Sequence, residues 1–331
     1  MTDRMALCRR FIAGTAWSGA TVVPMAPDAS TRRYLRLTHP TMGPAVLMDA
    51  DPSTGHSVAP FLTMTQRLRS QHLSAPEIHA QDSRLGLILM EDFGDDLFAR
   101  HLEHAPADEE LLYGQAIDLL AELQARSAGA QGLIEYDLAI FQREALQVLD
   151  WYAPATRRAP SEAARAEFLA LIAELCGALE PPSVIVLLDY HAENLIWLPE
   201  RNGAARCGLL DYQDARFGHP AYDLVSLLGD ARRDNSMNLR AGMLARFSAA
   251  TGHGGPAFER AYATLGAQRN LKILGIFARL WVQRGNTRYV DLMPRVWNNL
   301  LQDLAHPELA TLREWVTHHL EAPGPLPGAM T

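Results

Sequence analysis

The sequence predicts an α+β fold of two unequal lobes, and three observations predict it. Up to about residue 95, short β-rich runs alternate with turn signals. Beyond Gly94 the apolar spacing switches to the helical period of 3.6. The switch falls in a polar crossing near residues 91–95, so the lobes are drawn as 1–91 and 92–331.

In the first lobe, Thr21-Val22-Val23-Pro24-Met25 and Arg33-Tyr34-Leu35-Arg36-Leu37 flank the turn Ala26-Pro27-Asp28-Ala29-Ser30 and read as a hairpin. Ala45-Val46-Leu47-Met48 is a third strand. Val58, Phe61, Leu62, Met64 and Leu68 fall at helical spacing and predict a helix over 58–68. Pro76–Ala80 and Leu85–Met90 then read as strands four and five. The second lobe is predicted helical over 111–123, 140–151 and 162–179, the last stopped by Pro181-Pro182. Two short apolar strands follow, Val184-Ile185-Val186 and Cys207-Gly208-Leu209-Leu210, the latter read as an arm of a hairpin. From Ala221 onward helices return, and the Pro/Gly-rich stretch 322–330 is expected to fray.

Composition narrows the chemistry. The 331 residues carry 30 basic and 38 acidic side chains, a formal charge of −8, which argues against nucleic acid as the main partner. Of the basic residues 29 are arginine and one, Lys272, is lysine. That lysine follows no glycine loop, so a G-x-x-x-x-G-K phosphate loop is excluded. It is also the single candidate for a lysine nucleophile. Cys8, Cys176 and Cys207 are widely spaced and odd in number, which gives neither a disulfide framework nor a metal knuckle. No apolar run of bilayer length and no signal peptide are visible, so no membrane association and a cytoplasmic setting are expected. No feature points to an obligate protein partner.

The informative stretch is Leu187-Leu188-Asp189-Tyr190-His191-Ala192-Glu193-Asn194, followed by Leu209-Leu210-Asp211-Tyr212-Gln213-Asp214. Asp189 leaves a buried strand, Asn194 lies five residues on, and Asp211 ends the next strand. One carboxylate near an attacking hydroxyl, with an amide oxygen and a second carboxylate as hard oxygen ligands for magnesium, is the set phosphoryl transfer demands. Turn capping by Asp189 and Asn194 accounts for the D-x4-N spacing equally well.

The pattern D-Y-H-x-x-N-L, a strand, L-D-Y-Q-D-A and then Pro220-Ala221-Tyr222-Asp223-Leu224 resembles the aminoglycoside phosphotransferase superfamily. Within it the chain is most similar to the bacterial cell-wall amino-sugar kinases. Four segments carry that resemblance: Asp28–Arg36, Val46–Ala50, Leu210–Ala215 and Gln268–Arg279. They are spread over residues 20–300, and their order is what makes them specific.

The resemblance implies a bilobal protein-kinase-like fold, with a small five-stranded antiparallel N-lobe carrying a helix and a larger, mostly helical C-lobe. It implies nucleotide binding in the N-lobe, and the catalytic loop and acceptor site in the C-lobe. The implied activity is transfer of the ATP γ-phosphate, with Mg2+, to a sugar hydroxyl. The acceptor implied is an amino sugar, through the anomeric hydroxyl of N-acetylmuramate or N-acetylglucosamine in peptidoglycan recycling. By position, Asp189 matches the catalytic base, and Asn194 and Asp211 match the magnesium ligands. Ser30, Thr31, Arg32 and Arg33 match the hairpin tip over the ATP phosphates, and Met90, Glu91 and Asp92 match the hinge at the adenine. Asp223 matches a buried carboxylate that braces the catalytic loop.

Several positions depart from the pattern or imitate another. Leu187 and Leu188 stand where the superfamily's loop usually opens with His and then Arg or Gly, which keeps a nucleotide-binding pseudokinase module open. Met48 stands where kinase-like folds place the phosphate-clamping lysine, so Arg32 or Arg33 is expected to supply the clamp. Lys272, beside Arg269 and Arg279, is expected to hold an acidic acceptor or a loop. Asp92-Phe93-Gly94 imitates a magnesium motif but precedes Asp189, so the metal role goes to Asp211. His101 and His104 have metal-like spacing and read as a solvated face. His191 reads as a loop-bracing residue and His219 as a turn residue. Trp151-Tyr152 either stack a sugar or close a helix end. Acceptors of aminoglycoside, choline or homoserine type also stay open.

Overall fold

Alternation in the first hundred residues builds one antiparallel sheet. The computed structural model describes residues 4–26, 32–55, 57–127 and 132–324. Its elements begin with α1 (Arg4–Ala13), β1 (Thr21–Pro24), β2 (Arg33–His39), β3 (Gly43–Asp49), α2 (Ala59–Ser70), β4 (Ile78–Asp82), β5 (Leu87–Glu91) and α3 (Phe98–His104). Next come α4 (Glu109–Ala125), α5 (Leu138–Gln147), a π-helical turn (Val148–Tyr152), α6 (Ala153–Ala155) and α7 (Glu162–Gly177). Four short strands follow: β6 (Val184–Val186), β7 (Leu195–Trp197), β8 (Cys207–Leu209) and β9 (Arg216–Gly218). The chain closes with α8 (Ala221–Leu228), α9 (Met237–Thr251), α10 (Gly255–Arg284), α11 (Met293–Asp303) and α12 (Ala310–His319).

Two compact units emerge. Residues 1–106 and 193–214 form the first, and residues 107–192 and 215–331 the second. A single cut after residue 91 assigns 193–214 differently. That segment groups with the first unit because the main-chain N–H of Leu209 donates to Ser74 O (2.8 Å) and that of Trp197 to Asp96 O (2.8 Å).

In the first unit the five strands lie in the order β1-β2-β3-β5-β4, every pairing antiparallel, as the fold class predicts. The period of two places Leu35 and Leu37, Ala45 and Leu47, and Leu87 and Leu89 in one buried cluster with Cys8 and Ile12 of α1. β3 is buried from Ala45 to Asp49, and Met48, in the lysine position, is fully buried. β7 and β8 pair as a separate two-stranded ribbon, Leu195 opposite Leu209. β7, at three residues, is too short to show a period in the sequence.

In the second unit α4 and α7 form where the apolar spacing puts them. The predicted helix over 140–151 is instead α5 followed by the π-helical turn. β6 takes β9 as its partner, Val186 opposite Arg216, and β9 was likewise too short to read. The core surrounds α10, a 30-residue helix whose Leu271, Leu274 and Ala278 are buried with residues from α5, α7, α8, α11 and α12. Gly285, left-handed at φ 63°, ends it. Among the described residues no helix is long and apolar enough to cross a membrane.

Candidate active site

In the second unit β6 ends at Val186, and the main chain then turns sharply. The N–H of Asp189 donates to Leu187 O at 2.9 Å, with Leu188 between them at φ 71°. Positive φ at the centre of a three-residue turn is the rare, strained γ-turn, and leucine has no side-chain device to ease it. The turn is held from α8. One carboxylate oxygen of Asp223 accepts the Leu187 N–H (2.6 Å) and the other the Leu188 N–H (2.9 Å). Asp223 is fully buried, and burial pushes its carboxyl up to about 7, against the lowering effect of the two N–H donors and of Arg269. Asp189 itself is exposed at the head of this braced loop.

Farther along the loop, Tyr190 is buried and donates to Ala116 O of α4 at 2.7 Å. His191 is also buried. Burial, together with the positive charges of Arg232 and Arg269, drives its imidazole well below the usual value, so it stays neutral.

The two residues expected to hold a metal, Asn194 and Asp211, lie in the first unit at one end of the β7–β8 ribbon. The last rung of that ribbon is the bond from Leu210 N–H to Asn194 O at 3.0 Å, which sets Asn194 opposite Leu210, one residue before Asp211, where the strands stop. Asp211 takes the left-handed conformation at φ 55°, one that aspartate tolerates. The residue after it is pinned: the Tyr212 ring stacks on Phe61 of α2 at 5.3 Å, and its hydroxyl bonds Thr65 at 2.7 Å. Gln213 donates to Asp211 at 2.7 Å, and Arg32 pairs with the same carboxylate at 3.8 Å. An amide oxygen and a carboxylate are the hard oxygen donors that would suit a magnesium ion. No group of three or more His, Cys, Asp and Glu side chains with metal-holding geometry occurs among the described residues.

The nucleotide-side candidates separate. Ser30 and Thr31 lie outside the described residues. Arg33 pairs with the buried carboxylate of Asp49 at 2.5 Å, which also takes Arg4, whereas Arg32 faces Asp211. Met90 is buried in β5 and pairs with Val46, and Glu91 at the strand end pairs with Arg201 at 2.5 Å. Asp92 accepts from Arg36 Nη2 at 3.1 Å and from the Gly94 N–H at 2.9 Å, so the DFG-like triplet is an internal turn of this unit.

The imitations resolve as well. His101 pairs with Asp96 at 3.1 Å. His219 is buried and accepts the Ala221 N–H (3.1 Å) at the start of α8, and burial pushes it down to about 4. Tyr152 is buried, donates to Glu321 O at 2.7 Å and stacks on Trp297, which makes it a helix-end residue with no face left for a sugar. Lys272 pairs with Glu144 at 2.9 Å over the Tyr136 ring; Glu144 also accepts the Tyr136 hydroxyl, and Tyr136 bonds Tyr222 at 2.9 Å. No sequence motif announces that cluster, since its members are scattered from residue 136 to residue 272.

A profile of the family described as "Phosphotransferase enzyme family" matches residues 21–262. The chain belongs to this family. An N-acetylmuramate/N-acetylglucosamine kinase of Caulobacter vibrioides is 36% identical, covering 96% of this chain and 97% of that one. Its namesake from Pseudomonas aeruginosa is 35% identical over 89% and 87%. Among solved structures, a choline kinase of Streptococcus pneumoniae matches with a TM-score of 0.65 at 12% identity, covering 90% of this chain and 99% of that one. A putative aminoglycoside phosphotransferase of Ralstonia eutropha matches with a TM-score of 0.63 at 15% identity, covering 97% and 99%. At such identities these two establish the fold alone. The fold and family expected from the motifs are therefore borne out, and the chain is a phosphotransferase that acts on a small molecule.

Proposed function

We propose that this phosphotransferase is an amino-sugar kinase, transferring the γ-phosphate of ATP to the anomeric hydroxyl of N-acetylmuramate or N-acetylglucosamine in peptidoglycan recycling. The observation that carries this is the set of kinases bearing that name, 32–36% identical to this chain across 87–96% of its length. An enzyme drawing on ATP to salvage such sugars acts in the cytoplasm. The first unit takes the nucleotide and the second the acceptor.

Asp189 is the base. Its carboxylate, at the head of the braced γ-turn, orients the sugar hydroxyl and accepts its proton while the new O–P bond forms and the bond from the γ-phosphorus to the ADP oxygen breaks. Asn194 and Asp211 would hold magnesium, whose chemistry is to neutralise charge on the phosphate oxygens. Arg32, beside Asp211, is the better placed of the two arginines to contact phosphate. Met90–Asp92 meet the adenine.

The test is an acceptor screen with magnesium-ATP over N-acetylmuramate, N-acetylglucosamine, choline, homoserine and an aminoglycoside. Transfer to the amino sugars, lost by several orders of magnitude in Asp189→Ala while nucleotide binding persists, is the expected result. Faster transfer to one of the other acceptors would replace the sugar assignment. Nucleotide binding with no transfer to any acceptor would leave a pseudokinase module.

A further inference from the structure

The strained Leu188 turn needs anchors on both faces of its peptide planes, because a non-glycine residue in the left-handed region persists only where its surroundings over-determine it. Asp223 supplies the N–H side. On the carbonyl side, the Ser226 hydroxyl donates to Leu188 O at 3.2 Å, and Arg269 Nη2 of α10 donates to the same hydroxyl oxygen at 2.7 Å. Ser226 is fully buried and Arg269 is 7% exposed. Arginine can only donate, so the serine oxygen must accept from Arg269, and its single proton is directed to the Leu188 carbonyl. That carbonyl belongs to the same rigid peptide plane as the nitrogen of Asp189. Fixing its rotation therefore fixes the direction in which Asp189 leaves the turn.

We propose that Arg269 is a positioning residue for phosphoryl transfer. Acting through Ser226, it locks the Leu188 carbonyl and so aims the Asp189 carboxylate in a loop that lacks the usual histidine brace. Asp223 and Arg269 are opposite charges in one buried set, so the relay also keeps each from being an uncompensated ion. The proposal rests on Asp189 being the base.

The experiment compares Ser226→Ala, Arg269→Lys, Arg269→Met and the double variant Ser226→Ala/Arg269→Met. Turnover is normalised to folded enzyme, and KM for ATP and for the amino sugar is measured alongside. A misaimed base costs on the order of 100-fold in rate. Ser226→Ala and Arg269→Met are expected to lower kcat roughly 10- to 100-fold, with KM for ATP changed by less than about twofold. Arg269→Lys keeps a donor and a charge and is expected to recover part of kcat. The double variant should lose no more than the worse single one, because both changes break one relay.

If Arg269→Met does not fold, Ser226→Ala decides, since it leaves the Asp223–Arg269 charges in place. Unchanged kcat per folded molecule in Ser226→Ala, or losses that multiply in the double variant, overturn the relay. Failure of the base assignment looks different: Asp189→Ala would then itself retain near-normal turnover. In an Asp189→Ala background, Arg269→Met is expected to add nothing to the residual rate.

Discussion

Single residues divide sharply between those whose role is local and those whose role is set by distant partners. Asp189, Asn194 and Asp211 are candidates of the first kind: oxygen chemistry and spacing along one stretch admit them, and the resemblance to the phosphotransferase family supplies the proposed roles. Arg32 and Arg33 belong to the second: adjacent in sequence, one faces Asp211 and the other is engaged by Asp49. Losing a charge-assisted phosphate contact costs about 1.5–3 kcal/mol, so Arg32→Ala should raise KM for ATP on the order of tenfold or more. Arg33→Ala should raise it less, and steady-state kinetics over an ATP series compares the two. Asp223 carries a pH signature. Its folded value of about 7 lies above the 3.8 of an ordinary aspartate. Between those values the folded protein retains a proton that the unfolded chain has released, so its contribution to stability falls as pH rises from about 4 to about 7. Urea unfolding of the wild type and of Asp223→Asn across that window should show their difference shrinking from acid to neutral pH. A constant difference would mean that the carboxyl ionises with its ordinary value.

Elements decide how closely these residues are held. Asp223 and Ser226 are three apart on α8, hence on one face, and both point at the turn after β6. The target of the pair is set only by folding, because β6 finds its partner in β9 and the turn has α10 behind it. That helix runs tight against α5. A Cβ added to Gly275 would lie 2.2 Å from the Gln147 carbonyl carbon, where α5 gives way to the π-helical turn. Backbone cannot yield as a flexible side chain does, so Gly275→Ala should destabilise by about 3 kcal/mol, at the upper end of ordinary overpacking. Chemical denaturation measures it, and a loss under 1 kcal/mol would mean that the two helices can part.

For the molecule as a whole, nucleotide binding should appear as stability. A ligand that binds only the folded state stabilises it by about 2.7 kcal/mol at a hundred times its dissociation constant. Magnesium-ATP should therefore raise the melting temperature in proportion to the logarithm of its concentration. Chelation of the metal should diminish the shift, and Asp211→Asn should shrink it at equal nucleotide; a full shift in that variant would remove Asp211 from the metal's ligands.

The amino-acid sequence by itself marked the five strands of the first unit and helices α4 and α7 of the second, and it offered Asp189, Asn194 and Asp211 as candidates for the site. Each of these is written in short-range period or spacing, and a strand's alternation or a D-x4-N loop survives being read one segment at a time. Tertiary structure alone decided the partners of β6 and β8, the separation of Arg32 from Arg33, the burial of Tyr152, and the relay from Arg269 to Leu188. Those depend on which distant side chains meet in a dry interior. There an unpaired charge or a strained peptide is too costly to stand alone, so contacts between segments that only folding brings together settle what each group does.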